Sequence, residues 1–204
     1  MINRLINKYV DMKSAAKKIP ESLIYEMVQG KPIYYKGYKD YLKGEKQLEQ
    51  LMGSSKFQAF LVTELIFLIR TFLGNDYFIF SNEIGLQFSK NSWRAADIAI
   101  IKKSESEKID DKYLSTPPEY VIEIDTKADL KEIENPLGYY QEKTEDLIKF
   151  GVKKVIWIFT DTQKIMIAEK GNKKWEIMDW DQDVEFVKGL IINIKQILIE
   201  NNLE

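Results

Sequence analysis

The sequence predicts an α/β domain with a mixed β-sheet flanked by helices, carrying an N-terminal helix and hairpin and a C-terminal β-hairpin and helix. Two observations lead to this fold class. Short runs rich in Val, Ile, Phe and Tyr alternate along the chain with segments of helical periodicity. The order strand, helix, strand over residues 119–160 is typical of a crossover connection, which places two parallel strands in one sheet.

The chain is expected to form a single domain over residues 1–204. It has 45% hydrophobic and 30% charged residues, the composition of an ordinary globular protein, and no linker rich in proline or glycine. We place the core at 46–160, between an N-terminal helix and hairpin extension (1–45) and a C-terminal hairpin and helix (161–204).

The first half of the chain begins with apolar residues at helical spacing, which predict a helix over 2–17. LIYEMVQGKPIYY then predicts two short strands that turn near Gly30. The stretch 46–73 is the longest helical segment and is apolar almost all round from Phe57 onward, so we expect it to be well buried. Further strands are predicted at roughly 77–90, with a possible break near Gly85, at 94–102 and at 119–127, with a polar loop over 104–118.

The second half begins with Asn135-Pro136, an N-cap residue followed by proline at the first helical position. This helix is predicted to run to about Phe150 and to end at Gly151. An apolar strand, VKKVIWIFT, follows it, and KIMIAEK with KKWEIM predicts a hairpin. The stretch 187–198 predicts a terminal amphipathic helix.

The absence of cysteine and histidine limits the chemistry available to this protein. Disulfides, thiolate metal sites, histidine zinc sites and catalytic triads with histidine are all excluded. Carboxylate, lysine, arginine, tyrosine and serine chemistry remain. A bound metal would be held by oxygen, which favours Mg²⁺, Mn²⁺ or Ca²⁺.

Charge and hydropathy give expectations about partners and location. The net charge of −2 does not by itself indicate a nucleic-acid partner, so such contacts would depend on local lysine clusters. No run approaches the ~20 apolar residues of a membrane span, and the N-terminus lacks the apolar segment of a signal peptide. We therefore expect a cytoplasmic protein without a membrane partner.

The stretch VIEIDTKAD (121–129) places charges inside a predicted strand. Glu123, Asp125 and Lys127 alternate with apolar residues, so they are expected on one face of the sheet. Two carboxylates side by side repel each other, and a divalent cation removes that repulsion. The alternative is a salt-bridge ladder on a solvent-facing side of the sheet.

Three further residues are candidates for the same site. Asp97 lies in the strand WRAADIAII, where a buried carboxylate needs a partner or a metal, unless it is solvated or capping at the strand's start. Glu64 interrupts the apolar stripe of the long helix, and its alternative role is an internal ion pair. Lys143 edges the inward face of the 135–150 helix, where it could instead lie along packed aromatic rings.

Acids and lysines without histidine suit metal-assisted attack of water on a phosphodiester. No other motif indicates a different catalytic mechanism, since no P-loop, dinucleotide-binding or EF-hand pattern is present. The acidic stretch DWDQD (179–183) is expected to be a solvated loop. IYYKGYKDYLKG (33–44) combines tyrosines and lysines, which indicates either contact with nucleic acid or a packed hairpin edge.

The pattern ADIAII, then PPEYVIEID, then EKTEDLIKFGVKKVIWIFT resembles the Uma-two family of restriction endonucleases, a branch of the PD-(D/E)XK nuclease superfamily. The resemblance covers roughly residues 20–170 and includes ESLIYEMVQGKPI. It implies a restriction-endonuclease-like fold, a Mg²⁺ (or Mn²⁺) site, DNA as the partner and a homodimer. By the same resemblance Asp97, Glu123 and Lys143 match family positions, and Glu64 matches more loosely.

The sequence departs from the family pattern in Asp125-Thr126-Lys127, which spells an older D-X-K arrangement of the superfamily. Two acid–lysine pairs are therefore open, Glu123 with Lys143 or Asp125 with Lys127. We expect Asp97, Glu123 and Asp125 to hold the metal. The expected function is Mg²⁺-dependent hydrolysis of DNA phosphodiester bonds; the alternatives are an inactive nuclease-fold binding or assembly module and another Mg²⁺-dependent phosphoryl enzyme.

Overall fold

A computed structural model of the protein describes residues 19–131, 133 and 135–203, so the helix predicted over 2–17 lies outside the described residues. The strands are β1 (Ile24–Val28), β2 (Lys31–Tyr34), β3 (Tyr77–Ser89), β4 (Ser92–Lys102), β5 (Tyr120–Ile124), β6 (Lys154–Phe159), β7 (Lys164–Glu169), β8 (Glu176–Asp179), β9 (Val184–Val187) and β10 (Leu190–Ile192). The α-helices are α1 (Tyr38–Leu42), α2 (Glu49–Met52), α3 (Lys56–Leu73), α4 (Pro136–Phe150) and α5 (Ile194–Glu200).

The long strand β4 organises the main sheet, whose order is β2-β1-β4-β5-β6-β7-β8. One edge of β4 pairs with β3 along almost its whole length. Its other edge is divided between two strands, because β1 pairs with it at Trp93 and β5 pairs with it over Ile98–Ile100. The backbone over 94–97 therefore has no strand partner on this edge among the described residues, and the candidate site lies there.

The sheet is covered on both faces, as expected for a mixed α/β domain. One face carries isoleucines of β4, β5 and β6, which pack against α3, α5 and β9. The other face carries Val121, Val155 and Trp157, which pack against Leu147 of α4 and against residues of the N-terminal hairpin. The mixed sheet, with helices on both sides, confirms the predicted fold class.

The crossover from β5 through α4 to β6 confirms the strand–helix–strand prediction, because β5 and β6 pair in parallel. Asn135 caps the helix by accepting a hydrogen bond from the Gly138 amide at 3.1 Å. On the buried side, Trp157 Nε1 donates to Thr144 Oγ1 at 2.9 Å. This bond links the middle of α4 to β6, and Thr144 is the residue next to Lys143.

The long helix differs from its prediction in two ways. Gly53, Ser54 and Ser55 separate α2 from α3, since Ser55 caps α3 through the Gln58 amide. Burial is also confined to one stripe, because the described part of the chain covers only the side that faces the sheet. Leu61, Leu65 and Ile69 are fully buried, whereas Phe67 is 63% exposed. The expectation of a well-buried helix was therefore correct for one face only.

The expectation that no segment reaches the length of a membrane span was wrong. Residues Lys56–Asp76 have a mean hydropathy of 1.6, so by length and composition this one helical stretch of the described chain is long and apolar enough to cross a membrane. Core helices of soluble proteins share these properties, and no membrane role follows from them.

Two boundaries also differ from the sequence prediction. The strand predicted to run to residue 127 ends at Ile124, because Asp125 adopts a left-handed conformation with φ 56°. The predicted helix over 187–198 is instead the hairpin β9–β10 followed by the short helix α5, which Asn193 caps. In both places a turn interrupts a pattern that sequence periodicity alone predicts to be continuous.

The Thr144–Trp157 bond yields a test of how α4 is held. Thr144→Val should lower the free energy of unfolding by about 1–3 kcal/mol, because it leaves the buried indole N–H without an acceptor. In a Trp157→Phe background the same change should cost clearly less. Urea unfolding of the four proteins of this double-mutant cycle measures the coupling; a coupling energy near zero would contradict the proposed link.

Candidate active site

Asp97 and Glu123 lie at neighbouring positions where β4 and β5 begin to diverge. The antiparallel pairing of Ile98 with Ile122 places Asp97 and Glu123 at the next position along the two strands. Glu123 also pairs with Trp157 of β6, so its side chain lies on the sheet face covered by α4. Strand register thus brings together two of the predicted acids.

Asp97 is half-buried and held by hydrogen bonds that continue the sheet where β5 diverges. Its Oδ2 accepts from the Ile124 amide at 2.8 Å. Gln58, in the first turn of α3, donates to the Ile124 carbonyl at 3.0 Å and lies 3.4 Å from both Asp97 oxygens. Burial raises the pKa of Asp97, although the Ile124 amide opposes that shift. Gln58 therefore ties α3 to this acid.

Lys143 is fully buried between two glutamates. Its Nζ lies 2.9 Å from Glu26 Oε1 and 3.0 Å from Glu123 Oε1. Both contacts are buried ion pairs. The rings of Tyr25 and Trp157 lie 5.6 and 5.3 Å from the ammonium, close enough for cation–π attraction.

Glu26 of β1 anchors the buried charges. Its Oε2 accepts from Arg94 Nη1 and from the Tyr139 hydroxyl, both at 3.0 Å. Its Oε1 accepts from the Ala95 amide at 3.2 Å, which supplies the missing strand partner on this edge of β4. Arg94 also binds Asp146 of α4, at 2.6 Å. The glutamate therefore joins β1, β4 and α4.

The two glutamates that share Lys143 have opposite electrostatic environments. Burial would raise the pKa of Glu26, but Lys143 and Arg94 outweigh it, and the pKa lies below its ordinary value. Burial raises the pKa of Glu123 to about 8, against the opposing charge of Lys143 and with a further rise from Asp97. Burial alone would lower the pKa of Lys143, but Glu123 and Glu26 raise it well above its usual value. The lysine is therefore firmly charged, and Glu123 is the less compensated of the two acids.

Asp125 points away from this cluster, because its left-handed backbone ends the strand alternation. Its carboxylate accepts from the Thr160 amide at 2.8 Å and from the Thr160 hydroxyl at 2.5 Å. The structure thus uses Asp125 to join the ends of β5 and β6. It does not bring Asp125 to Asp97 and Glu123, and the three predicted acids do not share one face.

Lys127 pairs with an acid that the sequence analysis did not single out. Its Nζ contacts Glu83 Oε1 and donates to the Met52 carbonyl at 2.9 Å. Glu83 Oε2 also accepts from the Tyr35 hydroxyl at 2.8 Å. Of the two open acid–lysine pairs, the structure assembles Glu123 with Lys143, while Lys127 forms its ion pair with Glu83.

Glu83 reaches this position through a β-bulge in β3. The pairing of β3 with β4 shifts between Ser81 and Ile84. Asn82 and Glu83 both adopt positive φ, at 67° and 57°, a conformation that residues other than glycine rarely hold without a structural reason. The bulge turns the Glu83 carboxylate towards Lys127 and into the electrostatic environment of Asp97.

Glu64 lies apart from the other predicted residues. It is half-buried on α3, about two turns after Gln58, and forms no ion pair or hydrogen bond with Asp97, Glu123 or Lys143 within the described chain. No group of three or more acids among residues 19–131, 133 and 135–203 is arranged to hold a metal. The predicted three-acid metal site is therefore not assembled.

Asp97 and Glu123 nevertheless fit a magnesium site of a simpler kind. Both carboxylate oxygens of Glu123 are buried without a hydrogen-bond partner in the described structure, an unusual state for an acid. Mg²⁺ is commonly held by one or two carboxylates, its other ligands being water and substrate phosphate. These two residues are thus the ones that could hold such an ion.

An open cleft of about 550 Å³ lies beside this cluster. Gln58, which contacts Asp97, is one of its lining residues. The walls are formed by the start of α3, by the segment that follows β5 and by α4. The lining residues include Lys36, Gln58, Asp125, Lys131, Tyr140 and Asp161.

Sequence reasoning missed Glu26, Gln58, Glu83 and Arg94. Glu26 carries a signal of the same kind as Glu123, because it is a single acid within the apolar strand IYEMV. Arg94, three residues before Asp97, could have been recognised as a cation in an otherwise apolar strand. Gln58 and Glu83 give no comparable signal, since their roles depend on a helix terminus and a bulge.

Replacing the two glutamates should separate their roles. Glu26→Gln leaves Arg94 and Lys143 with too little buried negative charge and should cost about 3–5 kcal/mol of stability. Glu123→Gln resembles the protonated acid and should not lower stability at neutral pH, where the folded wild type keeps a proton that the unfolded chain has released. Chemical denaturation without divalent cations measures both; equal losses would contradict the distinction.

The raised pKa of Glu123 also predicts a pH dependence. The folded protein keeps this proton up to about pH 8, whereas the unfolded chain releases it near the ordinary glutamate value. The folded state then binds more protons than the unfolded chain, so this contribution to stability falls as pH rises through that window, by at most about 1.4 kcal/mol per pH unit. Glu123→Gln should therefore gain stability relative to the wild type with rising pH in metal-free buffer, and a relative loss would argue against burial of the acid.

Comparison with known proteins assigns the chain to a family. The family model of Uma2, described as "Putative restriction endonuclease", matches residues 40–194. The protein is also similar to a crystal structure of "a putative nuclease belonging to DUF820 from Anabaena variabilis ATCC 29413", with a TM-score of 0.61 and 16% identity over 85% of this chain and 89% of that chain. This likeness supports a nuclease-like fold. No curated protein matches the sequence. Because the Uma2 match spans most of the chain and includes Asp97, Glu123 and Lys143, the protein belongs to the Uma2 family of restriction-endonuclease-like proteins.

Proposed function

We propose that the protein is a Mg²⁺- or Mn²⁺-dependent endonuclease that hydrolyses phosphodiester bonds of DNA. The observation that carries the proposal is the state of Glu123, whose two buried oxygens lack hydrogen-bond partners while Asp97 faces it and Lys143 lies 3.0 Å away. Such an acid favours an additional cation. Membership of Uma2 supports a nuclease and a nucleic-acid substrate.

Asp97 and Glu123 are the residues that would hold the ion. Bound there, a divalent ion would polarise the phosphate and lower the pKa of water. Lys143 stays protonated and keeps a positive charge beside Glu123, where it can stabilise negative charge on phosphoryl oxygens or orient a water molecule.

Two neighbouring residues, Glu26 and Gln58, hold Lys143 and Asp97 in position. Glu26 holds Lys143 in place through its short contact with the ammonium. Gln58 holds the Asp97 side chain and the Ile124 carbonyl at the entrance of the cleft. The reacting groups are thus supported by β1 and by the first turn of α3, which are rigid elements of the fold.

A second candidate function follows from the burial of Glu123 and Lys143. Both side chains are almost inaccessible, and they close onto each other. That closure favours a nuclease fold that binds nucleic acid without cutting it. The two candidates differ in one measurable property, which is turnover in the presence of a divalent ion.

Cleavage of supercoiled plasmid tests the proposal. The wild type should nick or linearise DNA with Mg²⁺ or Mn²⁺ and should lose this activity in EDTA. Asp97→Ala and Glu123→Gln should each reduce the rate by roughly 100-fold or more, because each removes a carboxylate that would hold the divalent ion at the phosphate. Gel analysis of initial rates provides the measurement.

Glu176→Gln is the matched control, since Glu176 is an exposed acid on β8, far along the sheet from the site. Its activity should equal that of the wild type. Cleavage that survives both Asp97→Ala and Glu123→Gln would refute the assigned site. A folded wild type that binds DNA but cuts it with neither metal would support the non-catalytic function.

A further inference from the structure

We propose that five lysines beside the cleft form a surface that binds the phosphate backbone of duplex DNA and leads it to the candidate site. This lysine surface consists of Lys36, Lys39, Lys43, Lys46 and Lys131. The choice of DNA as partner rests on the proposed function, whereas the surface itself rests on the geometry that follows.

The lysines concentrate positive charge in an otherwise slightly acidic protein. Residues 31–46 contain five lysines and two acids, whereas the whole chain carries a net charge of −2. A local basic cluster of this kind is what a contact with phosphates requires when the total charge does not favour it.

The fold turns the tyrosines of this segment inward and the lysines outward. Tyr35 and Tyr38 are buried, and Tyr34 stacks on Tyr38 with ring centroids 4.7 Å apart. The lysines of the surface are all exposed. Of the two interpretations of IYYKGYKDYLKG, the tyrosines thus follow the packed hairpin, while the lysine side chains are exposed to solvent.

Backbone hydrogen bonds attach the lysine-rich segment 31–46 to the residues that follow β5. The Lys36 amide donates to the Lys127 carbonyl at 2.6 Å, and the Asp129 amide donates to the Tyr34 carbonyl at 2.8 Å. Lys36 and Lys131 consequently line the same cleft as Gln58, whose amide contacts Asp97. The lysine surface therefore begins inside the cleft and continues onto α1.

The position of Asp40 shows that several of these lysines lie close together. Its carboxylate binds Lys46 at 3.0 Å. That hydrogen bond, together with the charges of Lys131 and Lys43, lowers the pKa of Asp40. Asp40 with Lys43, Lys46 and Lys131 therefore carries a net positive charge, beside a cleft whose lining also includes Asp125, Asp129 and Asp161.

Duplex DNA fits this arrangement better than a peptide does. The exposed groups are flexible ammonium ions, which bind phosphates as point charges, and the stacked rings beneath them are already packed. A row of phosphates can meet such ions successively along the surface. One end of the row then reaches the cleft in which phosphodiester hydrolysis is proposed.

The test is the salt dependence of binding to a short labelled DNA duplex, measured by fluorescence anisotropy in EDTA. The charge-reversal pair is Lys36→Glu with Lys131→Glu. The control is Lys173→Glu with Lys174→Glu, two exposed lysines beside β8, at the opposite edge of the sheet from β2. Both pairs change the net charge equally, so only position distinguishes them.

The wild type should bind the duplex, with affinity falling steeply between roughly 50 and 200 mM salt. The Lys36/Lys131 variant should bind at least about 10-fold more weakly, and the slope of log affinity against log salt should fall by roughly 2, about 0.9 for each lost phosphate contact. The control pair should retain the wild-type slope.

An unchanged slope in the Lys36/Lys131 variant would overturn the proposed surface, and so would an equal loss in the control or an absence of wild-type binding. Because EDTA prevents cleavage, this result does not depend on catalysis. Binding through the lysine surface without any cleavage in Mg²⁺ would refute only the proposed enzyme, whereas cleavage that is indifferent to the charge reversal would refute only the surface.

Discussion

The fold around the site depends on one buried charge, the ammonium of Lys143. A lysine without access to water is stable only when its charge is compensated. Glu26 comes from β1, Glu123 from β5 and Lys143 from α4, so the compensation requires three distant segments to meet. Arg94 and Tyr139 complete the surroundings of Glu26 and leave Glu123 as the less satisfied acid. The ion pairs of Lys143 therefore hold α4 on the sheet. They also leave Glu123 as the acid at which the proposed divalent ion would bind.

Sequence reasoning identified the parts of this arrangement that depend on local pattern. Apolar strands, an N-cap and a proline at the first helical position correctly located β4, β5, α4 and β6. The acids Asp97 and Glu123 stood out because each interrupts an apolar strand. Lys143 could be assigned only to the edge of a helix face, since its burial depends on Glu26, which lies far away in the sequence.

The errors have equally physical causes. A residue other than glycine in a left-handed conformation gives no signal in composition, so the end of β5 at Asp125 was not predicted. The bulge at Glu83 lies close to the break expected near Gly85, but the role of its acid was not predicted. Side chains no longer alternate between the two faces of the sheet after Ile124. Asp125 and Lys127 therefore have separate partners, Thr160 and Glu83. The burial of α3 was overestimated because periodicity shows which faces are apolar and does not show how many of them have something to pack against.

The divided edge of β4 has a consequence for how such a site could evolve. The sheet forks between β1 and β5, and acidic side chains occupy the fork in place of a strand, since Glu26 accepts from the Ala95 amide and Asp97 accepts from the Ile124 amide. Lengthening either strand would fill the fork with ordinary backbone pairing and would displace these carboxylates. A more regular sheet and this cluster of acids are thus mutually exclusive. Mutations that extend the backbone pairing of β1 or β5 with β4 would stabilise the sheet and displace the acids of the proposed active site.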